Sequence, residues 1–209
     1  MPKELLNEAE RFLLSKWDEA RMLEESMAEV RSKYKEVFQR IIDAVTETHP
    51  ELNASAAHVT QFWHTGCIGF GRKSWPAGDE NWHPGIWIWN LRLEMLSSEE
   101  EEQPIAEIWV SAKSAKKCAL DIPAAKAQLF DAAKSLLSPE ELAGTETGDA
   151  NDELLYFASP SKHELLGLLA DGDGEKFVER FVTLFDLMAR LVPALDKLFQ
   201  SSPTETATQ

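Results

Sequence analysis

The run Ile86-Trp87-Ile88-Trp89-Asn90-Leu91-Arg92-Leu93-Glu94-Met95 restricts the fold more than any other stretch of this chain. Side chains of an extended strand alternate between two faces, so Trp87, Trp89, Leu91, Leu93 and Met95 share one wholly apolar side that requires burial. Six of the seven tryptophans lie between residues 57 and 117, and no catalytic signature accompanies them. The segment reads as a built surface rather than a reaction centre.

A second extended run, residues 105–113, sets Ala106, Ile108, Val110 and Ala112 on one face and Glu107, Trp109, Ser111 and Lys113 on the other. Residues 97–104 between the runs form an acidic turn that cannot pack. Placing both apolar faces on one side of an antiparallel pair sets Met95 opposite Ala106, Leu93 opposite Ile108, Arg92 opposite Trp109 and Glu94 opposite Glu107. Two carboxylates directly across a strand pair repel by a few tenths to ~1 kcal/mol unless a cation or a shared proton relieves them. Arg92 and Lys113 are the cations nearest to this pair in that register.

Helices flank the sheet. Residues 3–49 contain neither Gly nor Pro, and Leu23, Met27, Val30, Tyr34, Val37, Ile41 and Ala44 follow a four-three alternation, a coiled-coil-like seam. As one helix this arm would be about 70 Å long at ~1.5 Å per residue. It either breaks near residues 24–26 into a helical hairpin or projects as one arm, and the 23–44 seam packs either against the chain's own C-terminal helix or against another copy. After Asp171-Gly172-Asp173-Gly174, with Asp173 as the N-cap, an apolar stripe from Phe177 to Leu198 recurs at helical spacing, and Pro193 should kink or restart that helix. Further helices are expected at about 123–137 and 161–170, with a short strand at 154–158 between them. The fold class is therefore α+β: a long N-terminal helix or hairpin and C-terminal helices packed on a mainly antiparallel sheet of about four to five strands. Residues 1–200 form one domain with a helical arm at 3–49, and residues 201–209 form a disordered tail.

Composition limits the partners. The net charge is −15, and residues 121–209 alone carry 7 basic and 16 acidic side chains, a balance of −9. Such a surface disfavours nucleic acid, whose phosphates require Lys and Arg, and suits a basic protein partner. No apolar run reaches the length of a membrane span, and the N-terminus does not read as a signal peptide. Two cysteines, Cys67 and Cys118, fit a reducing compartment, and the chain is expected in the cytoplasm.

The short motifs are incomplete. Gly66-Cys67-Ile68-Gly69-Phe70-Gly71-Arg72-Lys73-Ser74 departs from a phosphate-binding loop by one inserted residue, and Trp75-Pro76 follows where a helix should begin. His64, Cys67 and His83 show one tight ligand pair where a structural zinc site needs two. The acidic Asp171–Glu175 run lacks the later ligands of a calcium loop. The sequence calls for no cofactor and no metal. Trp75 and Trp82, with His83 beside the latter, stand on a loop, and loop aromatics are frequent anchors at binding surfaces.

The order helix, strands, helix, strand, helix is similar to the core of the restriction-endonuclease-like superfamily. That resemblance covers at most residues 30–160 and implies magnesium held by Glu94 and Glu107; the pattern departs two residues after Glu107, where Trp109 replaces the lysine and Lys113 is the nearest one. Two functions follow. One is a non-catalytic interaction or regulatory module using Trp75, Trp82, His83, Arg92 and Trp109. The other is a metal-dependent hydrolase or nuclease using Glu94, Glu107 and Lys113.

Overall fold

The computed structural model describes residues 7–54, 66–72, 74–76, 84–97, 103–149 and 153–200. The chain divides into two compact units, residues up to Gln39 and residues from Arg40 onward. In the first, Asn7 opens helix α1 (Glu8–Ser15) with a reciprocal capping box: its side chain accepts from the Glu10 N–H at 2.9 Å, and Glu10 accepts from the Asn7 N–H at 2.7 Å. At Lys16 the backbone leaves the helical region (φ −117°, ψ 28°), and α2 (Trp17–Thr48) follows. The break thus falls at Lys16, outside the expected 24–26 stretch, where Glu24, Glu25 and Ser26 continue the helix.

The second unit holds a five-stranded sheet. β1 (Asn53–Ala54), β2 (Ile68–Gly71), β3 (Gly85–Trp89), β4 (Ile105–Trp109) and β5 (Glu153–Phe157) lie in that order, every neighbouring pair antiparallel. With the helices around it this is the α+β fold that the alternation and the helical stripes predict. One face of the sheet is aliphatic apart from Phe70 and Phe157. Phe70, Ile86, Ile108 and Leu155 form one cross-strand row, Ile68, Ile88, Ala106 and Phe157 the next, and all are buried. Burying each large side chain of this kind is worth roughly 1.5–3 kcal/mol.

Two strands are shorter than the alternation suggests, and the register between them is different. β3 stops at Trp89 because Asn90 takes a left-handed conformation (φ 61°), which Asn tolerates better than other side-chain-bearing residues; its amide donates to the Gln103 carbonyl at 3.0 Å. Leu93–Ser97 then form helix α3. β4 stops at Trp109 because Ser111 caps helix α4 (Ala112–Lys117), its hydroxyl accepting from the Ser114 N–H at 3.0 Å. Ile86 faces Ile108, Trp87 faces Glu107 and Ile88 faces Ala106, so the expected Met95–Ala106, Leu93–Ile108, Arg92–Trp109 and Glu94–Glu107 pairs do not form. The apolar partner of the Ala106/Ile108 face is the isoleucine face of β3, which places Trp87 and Trp89 on the same side as Glu107 and Trp109. A change of parity moves every side chain of a strand to the other face.

The remaining helices are α5 (Ile122–Leu136), α6 (Pro139–Leu142), α7 (Lys162–Ala170), α8 (Gly174–Ala189) and α9 (Val192–Gln200). Asp173 caps α8 as its sequence context suggests, accepting from the Lys176 N–H, and Pro193 sits in the first turn of α9, where a missing N–H costs nothing. Phe177, Phe181, Phe185 and Met188 of α8 are buried, and Phe185 meets Phe70 edge-on at 4.8 Å, which seats α8 on the aliphatic face of the sheet. Arg40, within α2, reaches Glu175 at 2.5 Å, and His49, just beyond the helix end, reaches Asp186 at 2.7 Å.

A candidate interaction surface on the sheet

The other face of the sheet is built around one large ring. Trp87 is almost fully buried, and its indole lies across β2 above Gly69, where a Cβ would stand 2.3 Å from the ring. Gly69 is therefore glycine for space rather than for backbone freedom; of the three glycines between residues 66 and 71, Gly66 needs the left-handed region (φ 66°). Trp89 stacks on Trp87 with centroids 5.1 Å apart and planes 19° apart, and Trp109 stands edge-on to both, at 6.2 Å from Trp87 and 6.1 Å from Trp89. Trp89 and Trp109 keep part of their surface in solvent.

Acidic groups lie in the same rows. Glu107 sits between Trp87 and Tyr156 across the strands and is only 5% exposed, the most buried charged residue described. Trp109 pairs with Gly85 on one side and Glu153 on the other, next to a bulge at Ile108/Trp109. Tyr156 hydrogen-bonds Glu153 and is also bridged to Glu146 through the backbone, at 3.2 and 2.7 Å. Burial pushes the Tyr156 phenol well above its usual range, and the hydrogen bond to Glu153 and the charges of Glu153, Glu107 and Asp149 raise it further. The phenol thus stays protonated and neutral beside the carboxylates. The five strands carry two glutamates and neither Lys nor Arg, so this face is negative as well as aromatic.

The residues singled out in the sequence fall in different places. Trp109 is on this face. Trp75 is buried: its ring packs on Phe199 at 5.3 Å and its indole N–H donates to Asp196 at 2.8 Å, while Arg72 donates to the other oxygen of the same carboxylate. That strap ties the end of β2 to α9 and leaves Trp75 no ring surface for a partner. Arg92 is exposed beside α3, its chain lying against Gly66 and its Nε 3.3 Å from the Met95 sulfur. Trp82, His83 and His64 lie outside the described residues, as do the 98–102 turn and the 201–209 tail. Glu94 is exposed on α3 and Lys113 is exposed on α4, so neither shares a strand pair with Glu107. Among the described residues no group of three or more His, Cys, Asp or Glu is gathered to hold a metal ion. No helix among them is long and apolar enough to cross a membrane.

Sequence reasoning did not bring Trp87, Trp89, Tyr156 and Glu153 to one surface with Glu107. The usable signal was Asn90, a residue suited to a left-handed stop. Ending β3 there frees the isoleucines to pair with Ile108 and Ala106. Comparisons with protein-family models, with curated proteins and with solved structures find no match.

Proposed function

We propose that this protein is a non-catalytic interaction module whose aromatic, acidic sheet face receives a basic side chain of a protein partner. The observation that carries the reading is the placement of Glu107, nearly excluded from water, beside Trp87, Trp89 and Trp109 in a chain of net charge −15. A lysine or arginine laid over the accessible part of Trp109 gains a cation–π contact and meets Glu153 in the neighbouring strand. Glu107 stands behind the rings, paired across the strands with Trp87 and Tyr156. Arginine is the better fit, since its planar guanidinium stacks on an indole and loses less hydration.

The test is a titration of the intact chain with an arginine-rich peptide at high salt, where diffuse attraction is screened, read by tryptophan fluorescence. Trp109→Ala should weaken binding by about tenfold, corresponding to a contact of ~1–2 kcal/mol, while leaving the circular dichroism of the fold in place. Glu94→Gln, on α3, should leave binding unchanged. Equal affinity of the wild type and Trp109→Ala would sink the assignment of this face.

A further inference from the structure

The most conspicuous surface that this function does not use is on the first unit. Phe12, Trp17, Met22, Leu23, Met27 and Val30 are all exposed, with Leu23 at 68% and Trp17 at 61%. Leu23, Met27 and Val30 recur at three- and four-residue spacing on one side of α2 with Trp17 flanking them, an exposed apolar stripe of the kind that marks an interaction site. From Tyr34 onward the same helix changes character: Tyr34, Phe38, Ile41, Ile42 and Val45 are buried. Of the seam read in the sequence as running from 23 to 44, Tyr34 and Ile41 are buried and Val37 and Ala44 are half-buried, so it is fully exposed only over its N-terminal part.

Over that part the spacing is heptad-like. Ala20 and Met27 occupy a positions and Leu23 and Val30 occupy d positions, which makes Glu19 and Lys33 g residues and Glu24 and Arg31 e residues. These flanking charges select an orientation. In a parallel pair each g residue meets the e residue of the next heptad, so Glu19 faces Glu24 of the other copy on both sides. In an antiparallel pair g meets g and e meets e. Centred near residue 25, that arrangement layers Leu23 on Met27 and Ala20 on Val30, sets Glu19 against Lys33 twice, and sets Trp17 against Arg31 twice. One like-charge contact is left, Glu24 with Glu24 at the axis, against two in the parallel form.

We infer that α2 pairs with α2 of a second copy, antiparallel, through Ala20, Leu23, Met27 and Val30. The overlap from Trp17 to Lys33 is about 25 Å of helix at ~1.5 Å per residue, short enough that the dimer dissociates on dilution. The intrahelical pairs Lys16–Glu19 at 2.9 Å and Lys33–Glu29 at 2.6 Å are solvent-exposed and yield to the new contacts at little cost.

Sedimentation equilibrium of the full chain over a wide concentration range tests the inference. The wild type should run as a monomer–dimer equilibrium, and Leu23→Asp with Met27→Asp should give a monomer with an unchanged far-ultraviolet spectrum. Glu19→Lys separates the orientations without touching the seam. In the antiparallel dimer it sets a second cation against Lys33 and weakens association by about tenfold, whereas in a parallel dimer it relieves the Glu19–Glu24 repulsion. Adding Lys33→Glu should restore the wild-type constant. A wild-type monomer at every concentration, a dimer indifferent to Leu23→Asp with Met27→Asp, or a dimer tightened by Glu19→Lys would each overturn the inference.

Discussion

Tyr156 shows how one residue registers the character of the sheet face. Its phenol is half-buried and lies near Glu153, Glu107 and Asp149, each of which opposes a second negative charge. In the unfolded chain it ionises around 10.0, whereas the fold holds it protonated to higher pH. The sign follows from proton linkage: the stability associated with this group is complete below pH 10 and falls as the pH rises past it, because the unfolded state alone gains by releasing the proton. Tyr156→Phe removes the titrating group and keeps the ring. The difference between wild-type and variant urea midpoints should therefore be constant at neutral pH and shift against the wild type above about pH 10. Parallel curves through that range would show that Tyr156 is not held among carboxylates. Glu107 was legible in the sequence as an acid on a strand, and its alternation with Trp109 correctly put the two on one face. Its partner was not legible, because an acid opposite an acid and an acid opposite an indole satisfy the same local pattern.

At the scale of elements, the helices were the more readable part. Asp173, Ser161 and Asp121 each precede a helix and accept from the backbone N–H three residues on, so their starts are written locally. Strand ends were harder. Asn90 and Ser111 stop β3 and β4 inside runs whose alternation continues past them, and hydrophobic periodicity alone does not register a left-handed residue or a cap. The same strands supply a sharper test of how β2 and β3 fit. Because the Trp87 ring fills the space where Gly69 would carry a side chain, Gly69→Ala forces the indole or the strand aside and should cost about 1–3 kcal/mol. Trp87→Ala should cost about 3–5 kcal/mol by leaving a cavity. In the double variant the methyl group enters vacated space, so the combined cost should be smaller than the sum of the two parts. Strict additivity of the urea-derived values would mean that the ring does not rest on Gly69.

For the molecule as a whole, charge decides which encounters are favoured before any local contact forms. With 36 acidic against 21 basic residues, the chain attracts any polycation, and attraction of that kind says nothing about a specific face. Salt separates the two contributions. The screening length falls from about 10 Å at 0.1 M to about 3 Å at 1 M, which removes the diffuse attraction but only part of a contact made over a desolvated indole. An arginine-rich peptide should therefore lose most of its affinity for the wild type between these conditions and retain a weaker, salt-resistant remainder. Trp109→Ala should bind almost normally at low salt, where net charge dominates, and lose most of the remainder at high salt. If the wild type and Trp109→Ala instead lose all binding together at about 1 M salt, net charge alone accounts for the association, and the aromatic face is a covered layer of the fold rather than the place where a partner is read.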